Sequence, residues 1–285
     1  MENKIPILEK ITNVSTIPTL PTVLEKINAL LKNPQTSAEE IGKAITTDQA
    51  LASKVLKLVN SAFYGFPGRI STITHAVVIL GFSTIKNIVL TASIFDAFKK
   101  KKGEFISFDM EQFWLHSIAC GATAQTLAKY TGNKNKEECF IAGLIHDIGK
   151  IVICQYLPQE FKILLEDINS KNGLFYDCER ELFDATHQEI GGIIAENWNL
   201  PPNLKYSVKY HHIPSQNENY YMSTAIVHFA DILIRALDIG NSGDNKMPYI
   251  AEHVWNTFRL TEKKLSVLLE EINMEIEKAL VFMKI

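Results

Sequence analysis

The chain has no surplus of positive charge: Lys and Arg number 29 against 32 Asp and Glu, a formal net charge of -3. That removes the basic footprint a DNA partner would need and the polybasic anchor an anionic membrane would need. Cysteine is scarce as well. Cys120, Cys139, Cys154 and Cys178 lie far apart with no C-x-x-C between them. A disulfide framework is not expected at this size, and the four read as reduced, half-buried residues of a cytoplasmic protein. The start, Met1-Glu2-Asn3-Lys4, leads into no signal-like apolar core, and no apolar stretch reaches the about 18 residues of a membrane span. Alternating apolar runs of strand type are scarce too, which leaves an all-α fold.

What is present is an ordinary globular composition, 46% hydrophobic and 21% charged over 285 residues. That length exceeds the usual single domain and predicts two, a helical bundle over 1–102 and a second helical domain over 103–285. Lys99 to Lys102, followed by Gly103, marks the boundary, because four like charges in a row repel one another and favour solvent. In the first part, Pro21 suits a helix's first turn and Val23, Leu24, Ile27, Leu30 and Leu31 recur at helical spacing. Ser37 with Glu40 is a capping box, and Asp48 can cap the next helix. Gly65, Pro67 and Gly68 break that helix; another from Ser71-Thr72 ends at Gly81, and Ser83 is expected to cap the one after.

In the second part, Asp109 and Gln112 open a helix carrying His116. A single helix from Glu138 to about Leu157 is expected to bear His146 and Asp147. Further helices are expected over Phe161–Lys171, Tyr176–Phe183, Gln188–Trp198, Leu204–Tyr210, Met222–Leu237, Met247–Thr257 and Glu262–Met283.

The chemistry-bearing residues concentrate in this second part. His146-Asp147 precedes Ile148-Gly149-Lys150, with His116 before it and His187, His211, His212 and Asp231 after it. Imidazole and carboxylate are the donors that first-row transition metals accept. Taken singly, each has a plain alternative. Lys150 can hold a phosphate or form an i,i+3 salt bridge with Asp147. His211-His212 can be a donor pair or solvated loop residues. Asp231, on an otherwise apolar helix, must be paired, protonated or metal-bound. His228 on part of the same face suits packing or support of a ligand, while His75 and His253 lack such company.

The order His, His-Asp, His, His-His, Asp resembles the HD-GYP branch of the metal-dependent HD phosphohydrolases. That resemblance implies that His116, His146, Asp147 and Asp231 hold one metal. Asp147 would bridge to a second, held by His187, His211 and His212. Iron, manganese, zinc or nickel suits such donors better than magnesium. Catalytic roles would fall to Asp147 and Lys150 in attack on a phosphodiester by a metal-activated water. The glycine-tyrosine-proline loop is missing, since Ile213 to Ser223 reads IPSQNENYYMS, and Gln112 stands where some members carry a third-metal glutamate. Two metals at most are therefore expected.

The first part is similar to a different branch. IPTLPTVLEKINALL (Ile17 to Leu31), ITTDQALASKVLKLVNSAFYG (Ile45 to Gly65) and ISTITHAVVILGF (Ile70 to Phe82) resemble the HDOD domain, the HD-related output domain of bacterial signalling proteins. Gln49 stands where that family usually has proline. The likeness implies a regulatory or scaffolding module of a family in which many members have lost the metal ligands. This chain keeps them, so one or two metal ions are expected, with a signalling protein partner bound in trans and a phosphorylated or nucleotide ligand. An active phosphohydrolase acting on cyclic di-nucleotides is the alternative, and a metal held for folding alone is the third.

Overall fold

A computed structural model describes residues 4–14, 19–98, 108–216 and 218–285. The lysine run expected as the boundary lies outside the described residues. Among those described there is no strand; one isolated parallel bridge joins Ile5 to Phe183. The all-α expectation holds. The helices are α1 (Ile7–Thr12), α2 (Thr22–Leu30), α3 (Ala38–Thr46), α4 (Gln49–Val59) and α5 (Ile73–Ala97), then α6 (Met110–Tyr130), α7 (Lys136–Ile145), α8 (Ile148–Tyr156), α9 (Pro158–Lys171) and α10 (Phe175–Leu182). They continue as α11 (His187–Asn197), α12 (Pro202–Tyr210), α13 (Tyr221–Ala236), α14 (Glu252–Phe258) and α15 (Glu262–Ala279). Two compact units result, one of Pro18–Lys101 with Glu277–Ile285, the other of Met1–Ile17 with Lys102–Ile276.

In the first unit, α3 and α4 pack on α5 around an aliphatic core that includes Ile41, Ile45, Val55, Leu58, Ile85 and Ile88. The caps form as the residues dictate. Ser37 Oγ accepts from Glu40 N at 3.2 Å while Glu40 Oε2 accepts from Ser37 N at 2.8 Å, and Asp48 Oδ1 accepts from Leu51 N at 3.0 Å. Pro21 sits at the N-cap of α2, one place earlier than the first turn expected for it. The Asn60 side chain explains the motif after α4: its Nδ2 donates to Ile70 O and its Oδ1 accepts from Ile70 N, both at 2.8 Å. That pair closes the loop carrying Phe63, whose ring meets Phe282 edge-on. Gly81, at φ 84°, kinks α5 where the sequence ended one helix and began another.

In the second unit, α6 packs on α7 and α13, α11 on α8 and α12, and α12 on α7 and α13. Small residues let α6 and α7 touch main chain to main chain, since a methyl group at Gly143 would lie 2.8 Å from Cys120 O. Four expectations change here. The single helix from Glu138 to Leu157 is two, interrupted at His146-Asp147, where Asp147 leaves helical geometry (φ -97°, ψ 12°). Helix α14 starts at Glu252 rather than Met247, because Pro248 biases its predecessor to extended backbone and has no N–H to give. Helix α15 ends at Ala279, and Leu280–Lys284 winds tighter as a 3-10 helix. The four cysteines are fully buried, not half-buried.

Two helical stretches, Ile73–Ala97 and Lys136–Tyr156, are long and apolar enough to cross a membrane, contrary to the sequence expectation. The first is broken by the Gly81 kink and the second by the turn at His146-Asp147. In the second, 89% of its most apolar 18 residues is buried inside the fold.

Candidate metal centre

The interruption between α7 and α8 builds the centre. His146 caps α7 and Asp147 precedes α8, so both turn inward from a kink rather than from one helical face. Gly149, one turn on, abuts the His187 main chain, and a methyl group there would overlap the His187 carbonyl oxygen. His187 is the first residue of α11, held by the Thr186–Glu189 capping box. His211 caps the end of α12 and His212 follows it. His116 and Asp231 come from within α6 and α13.

The structure brings all seven sequence-selected donors together in two adjacent groups. Asp147, His187, His211 and His212 form one; His116, His146 and Asp231 form the other. Within each group the ligand atoms lie within 4.8 Å of one another. His187 Nε2 is 3.2 Å from Asp147 Oδ1, 3.3 Å from His211 Nε2 and 3.1 Å from His212 Nε2. In the other group, Asp231 Oδ1 is 3.1 Å from His116 Nε2 and 3.7 Å from His146 Nε2. Asp147 faces both: Oδ1 toward His187, Oδ2 3.3 Å from His146 Nε2. Six of the seven are fully buried, and His212 is the half-buried one.

The outer nitrogens decide which way the lone pairs point. His146 Nδ1 donates to Gly143 O at 2.7 Å, His211 Nδ1 to Val208 O at 2.8 Å, and His187 Nδ1 to the Glu179 carboxylate at 2.5 Å. With those protons committed outward, each ring turns its Nε2 inward, as a lone pair wherever the ring is neutral. His187 Nε2 and His211 Nε2, 3.3 Å apart, then need either a proton or a metal cation between them. The buried Nε2 atoms of His116 and His146 have no hydrogen-bond partner, so the short approach of His116 to Asp231 lacks hydrogen-bond alignment. Converging imidazoles and carboxylates of this kind fit transition-metal ions.

The titration behaviour agrees in direction. Burial pushes His211 down to about 3 and His212 well below the usual imidazole range, so both stay neutral. Burial also lowers His116, although Asp231 opposes it. Burial would lower His146 and His187 too, but Asp147 outweighs it at His146 and Glu179 at His187, so both are raised. A divalent ion would have to displace those two protons. Asp147 and Asp231 are held well below the carboxylate range despite burial, by His146 and Lys150 for the first and by Arg235 and His116 for the second.

Lys150 is fully buried, with Nζ 2.8 Å from Asp147 Oδ2, 3.1 Å from Ser242 O and 4.5 Å from the centre of the Phe175 ring. It is thus an anchor for Asp147. Arg235 does the same for Asp231 (Nε to Oδ1, 2.9 Å) and reaches Asp244 and Ser242 beyond it. His228 donates to the His211 carbonyl at 2.7 Å, and His75 and His253 are exposed. Gln112 joins neither donor group; its carbonyl accepts from Asn241 N.

Sequence reasoning missed Glu179, Arg235, Ser242 and Asp244. Arg235 was findable, four residues after Asp231 on one helix. Glu179 gave no local signal, since its link to His187 is made only by the packing of α10 beside the start of α11. The stretch from Ile213 to Ser223, which lacks the glycine-tyrosine-proline motif, has a short 3-10 turn at Pro214–Gln216, and Tyr220 stacks on Tyr206 of α12 at 5.1 Å.

Comparison with known proteins gives a consistent picture. A family model described as the HDOD domain matches residues 17–214. An uncharacterized protein of Treponema pallidum (strain Nichols) is 28% identical over 267 residues, 93% of this chain and 50% of the relative. The chain therefore spans about half the length of that curated relative. The crystal structure of an HDOD domain protein from Geobacter sulfurreducens superposes with a TM-score of 0.80 at 27% identity, covering 96% of this chain and 95% of the other. A protein from Shewanella amazonensis SB2B, described as a candidate metal-dependent phosphohydrolase, gives 0.67 at 20% identity, covering 96% of each chain. At that identity the likeness is one of fold.

Proposed function

This chain belongs to the HDOD domain family, and on that premise we propose that it is a cytoplasmic signalling module that binds transition metal and passes a conformational state to a protein partner in trans. The observation that carries the metal is convergence: three imidazole Nε2 atoms and Asp147 Oδ1 meet within 4.8 Å of one another while Nδ1 of His187 and His211 is engaged outward. In this reading His116, His146 and Asp231 hold one ion, His187, His211 and His212 a second, and Asp147 reaches both. Bound metal would supply Lewis-acid charge for a phosphorylated or nucleotide ligand. Lys150 and Arg235 serve to position the two carboxylates. Iron, manganese, zinc and nickel are the candidates, given the imidazole-rich donors.

A second reading, an active phosphohydrolase on cyclic di-nucleotides, is favoured by one observation, the Asp147 carboxylate facing both groups. Elemental analysis after anaerobic purification tests the shared premise. We expect one or two transition-metal ions per chain, lost in Asp147→Ala; no metal, and none taken up on adding iron, manganese, zinc or nickel, overturns both readings. Turnover of cyclic di-nucleotides by the loaded protein, abolished in Asp147→Ala, decides for the enzyme against the adaptor.

A further inference from the structure

A cavity of about 420 Å³ lies beside the half-buried end of the metal centre, where Tyr176 packs against His212 with ring centres 4.6 Å apart. Its size suits a small ligand. Its walls belong to the second unit alone and draw on Lys4, Tyr176, Arg180, Gln188, Lys209 and Tyr210.

Three of these are cations. Arg180 forms no ion pair among the described residues and lies over the Tyr176 ring, 5.7 Å from its centre. Lys209 stands 5.6 Å from the Tyr210 ring centre, its stem flat against Gly192, where a methyl group would come within 3.2 Å of it. Lys4 donates to the Arg180 carbonyl at 2.5 Å, tying the chain start to the rim. The two carboxylates of the cavity are already engaged by the main chain: Asp184 accepts from Leu8 N at 3.1 Å and Glu189 from Thr186 N at 2.7 Å. Gln188 is the independent pointer. Gln188 is 3% exposed and lines the cavity, yet its Nε2 donor has no hydrogen-bond partner. A buried amide donor left unpaired is costly unless a ligand supplies the acceptor.

We infer that this cavity is a binding subsite for an aromatic phosphate monoester of mononucleotide size. Its ring lies against Tyr176 and Tyr210, and its anionic oxygens meet Arg180, Lys209 and the Gln188 amide on the side of His212. The inference rests on the metal-centre reading for its direction of approach, since His212 is the half-buried donor among the seven. Cations and an amide donor recognise phosphate, and tyrosine rings beside them recognise a planar base.

The test is calorimetric titration of the full chain, with and without manganese, using adenosine 5′-monophosphate, guanosine 5′-monophosphate, glycerol phosphate and inorganic phosphate as probes. The nucleotides should bind on the order of tenfold tighter than glycerol phosphate, the worth of one stacked base. Arg180→Ala and Lys209→Ala should each weaken every phosphate probe on the order of tenfold, and Gln188→Leu less. Tyr176→Leu and Tyr210→Leu should erase the nucleotide advantage and leave inorganic phosphate as it was. Metal content is measured in each variant and should not change. Equal binding of all probes, or nucleotide binding untouched by both Arg180→Ala and Lys209→Ala, overturns the subsite. Absence of metal uptake with intact nucleotide binding would defeat the metal reading and spare the cavity.

Discussion

The two units solve the problem of a core in opposite ways. In Pro18–Lys101 with Glu277–Ile285, the buried polar side chains among the described residues are Thr91 and Ser93, and the interior is otherwise aliphatic and aromatic. The other unit buries His116, His146, Asp147, Lys150, Glu179, His187, His211, His228 and Asp231 together. The first depends on burial of apolar area, which is non-directional and indifferent to pH and metal. The second depends on charges that must stay matched, because an uncompensated buried ion is costly. One unit therefore has an apolar interior, and the other holds the candidate metal donors.

Mutations can break this contrast. Asp147→Ala should have the largest effect, about 3–5 kcal/mol in urea unfolding, since it strands buried Lys150 without its carboxylate, and metal should be lost with it. If stability is unchanged, Lys150 is solvated and the ionic core is misread. Leu58→Ala, in the aliphatic unit, should cost about 2–5 kcal/mol while metal content per folded chain stays at the wild-type value. A coupled loss of metal would show that the two interiors are not independent.

Acid sharpens the comparison. His116, His211, His212 and His228 are lowered, so below about pH 6.5 the unfolded chain takes up protons that the folded chain refuses. Stability of the demetallated protein should fall as pH drops from there toward 3. His146 and His187 run the other way: their contribution is full below about pH 6.5 and is lost as pH rises through their raised values. A domed stability profile, flattened on saturation with metal, is the expected outcome of thermal melts across pH; a flat profile without metal contradicts it. The smallest effect belongs to Ser37→Ala, about 1 kcal/mol from the lost cap, with neither metal content nor pH profile altered.

Legibility in the sequence follows the same division. Ser37, Asp48 and Asp109 cap where they stand because capping is decided within four residues. The donors could be listed only through the resemblance of their order to HD-GYP proteins, and the structure gathers the same seven. What escaped was tertiary in origin. The break at His146-Asp147 falls in an apolar, helix-favouring stretch, and nothing local marks it. Glu179 and Ser242 gain their meaning from partners 8 and 92 residues away. Helix α1 is short, yet it buries Ile7 and Ile11 completely, and only its packing justifies it.

The contact of Gly149 with the His187 carbonyl has a consequence for which ions the centre can accept. It makes the span between the Asp147 turn and the His187 turn a main-chain dimension, with no rotatable bond to absorb a change. His146 and His211 are likewise pinned by their own carbonyl partners. In the proposed metal site, tolerance for a larger or smaller ion would fall to His212, which stands half-buried beyond the end of α12. Discrimination by ionic radius would then be set by rigid spacers on one side, and adjustment by a single hinged jaw on the other.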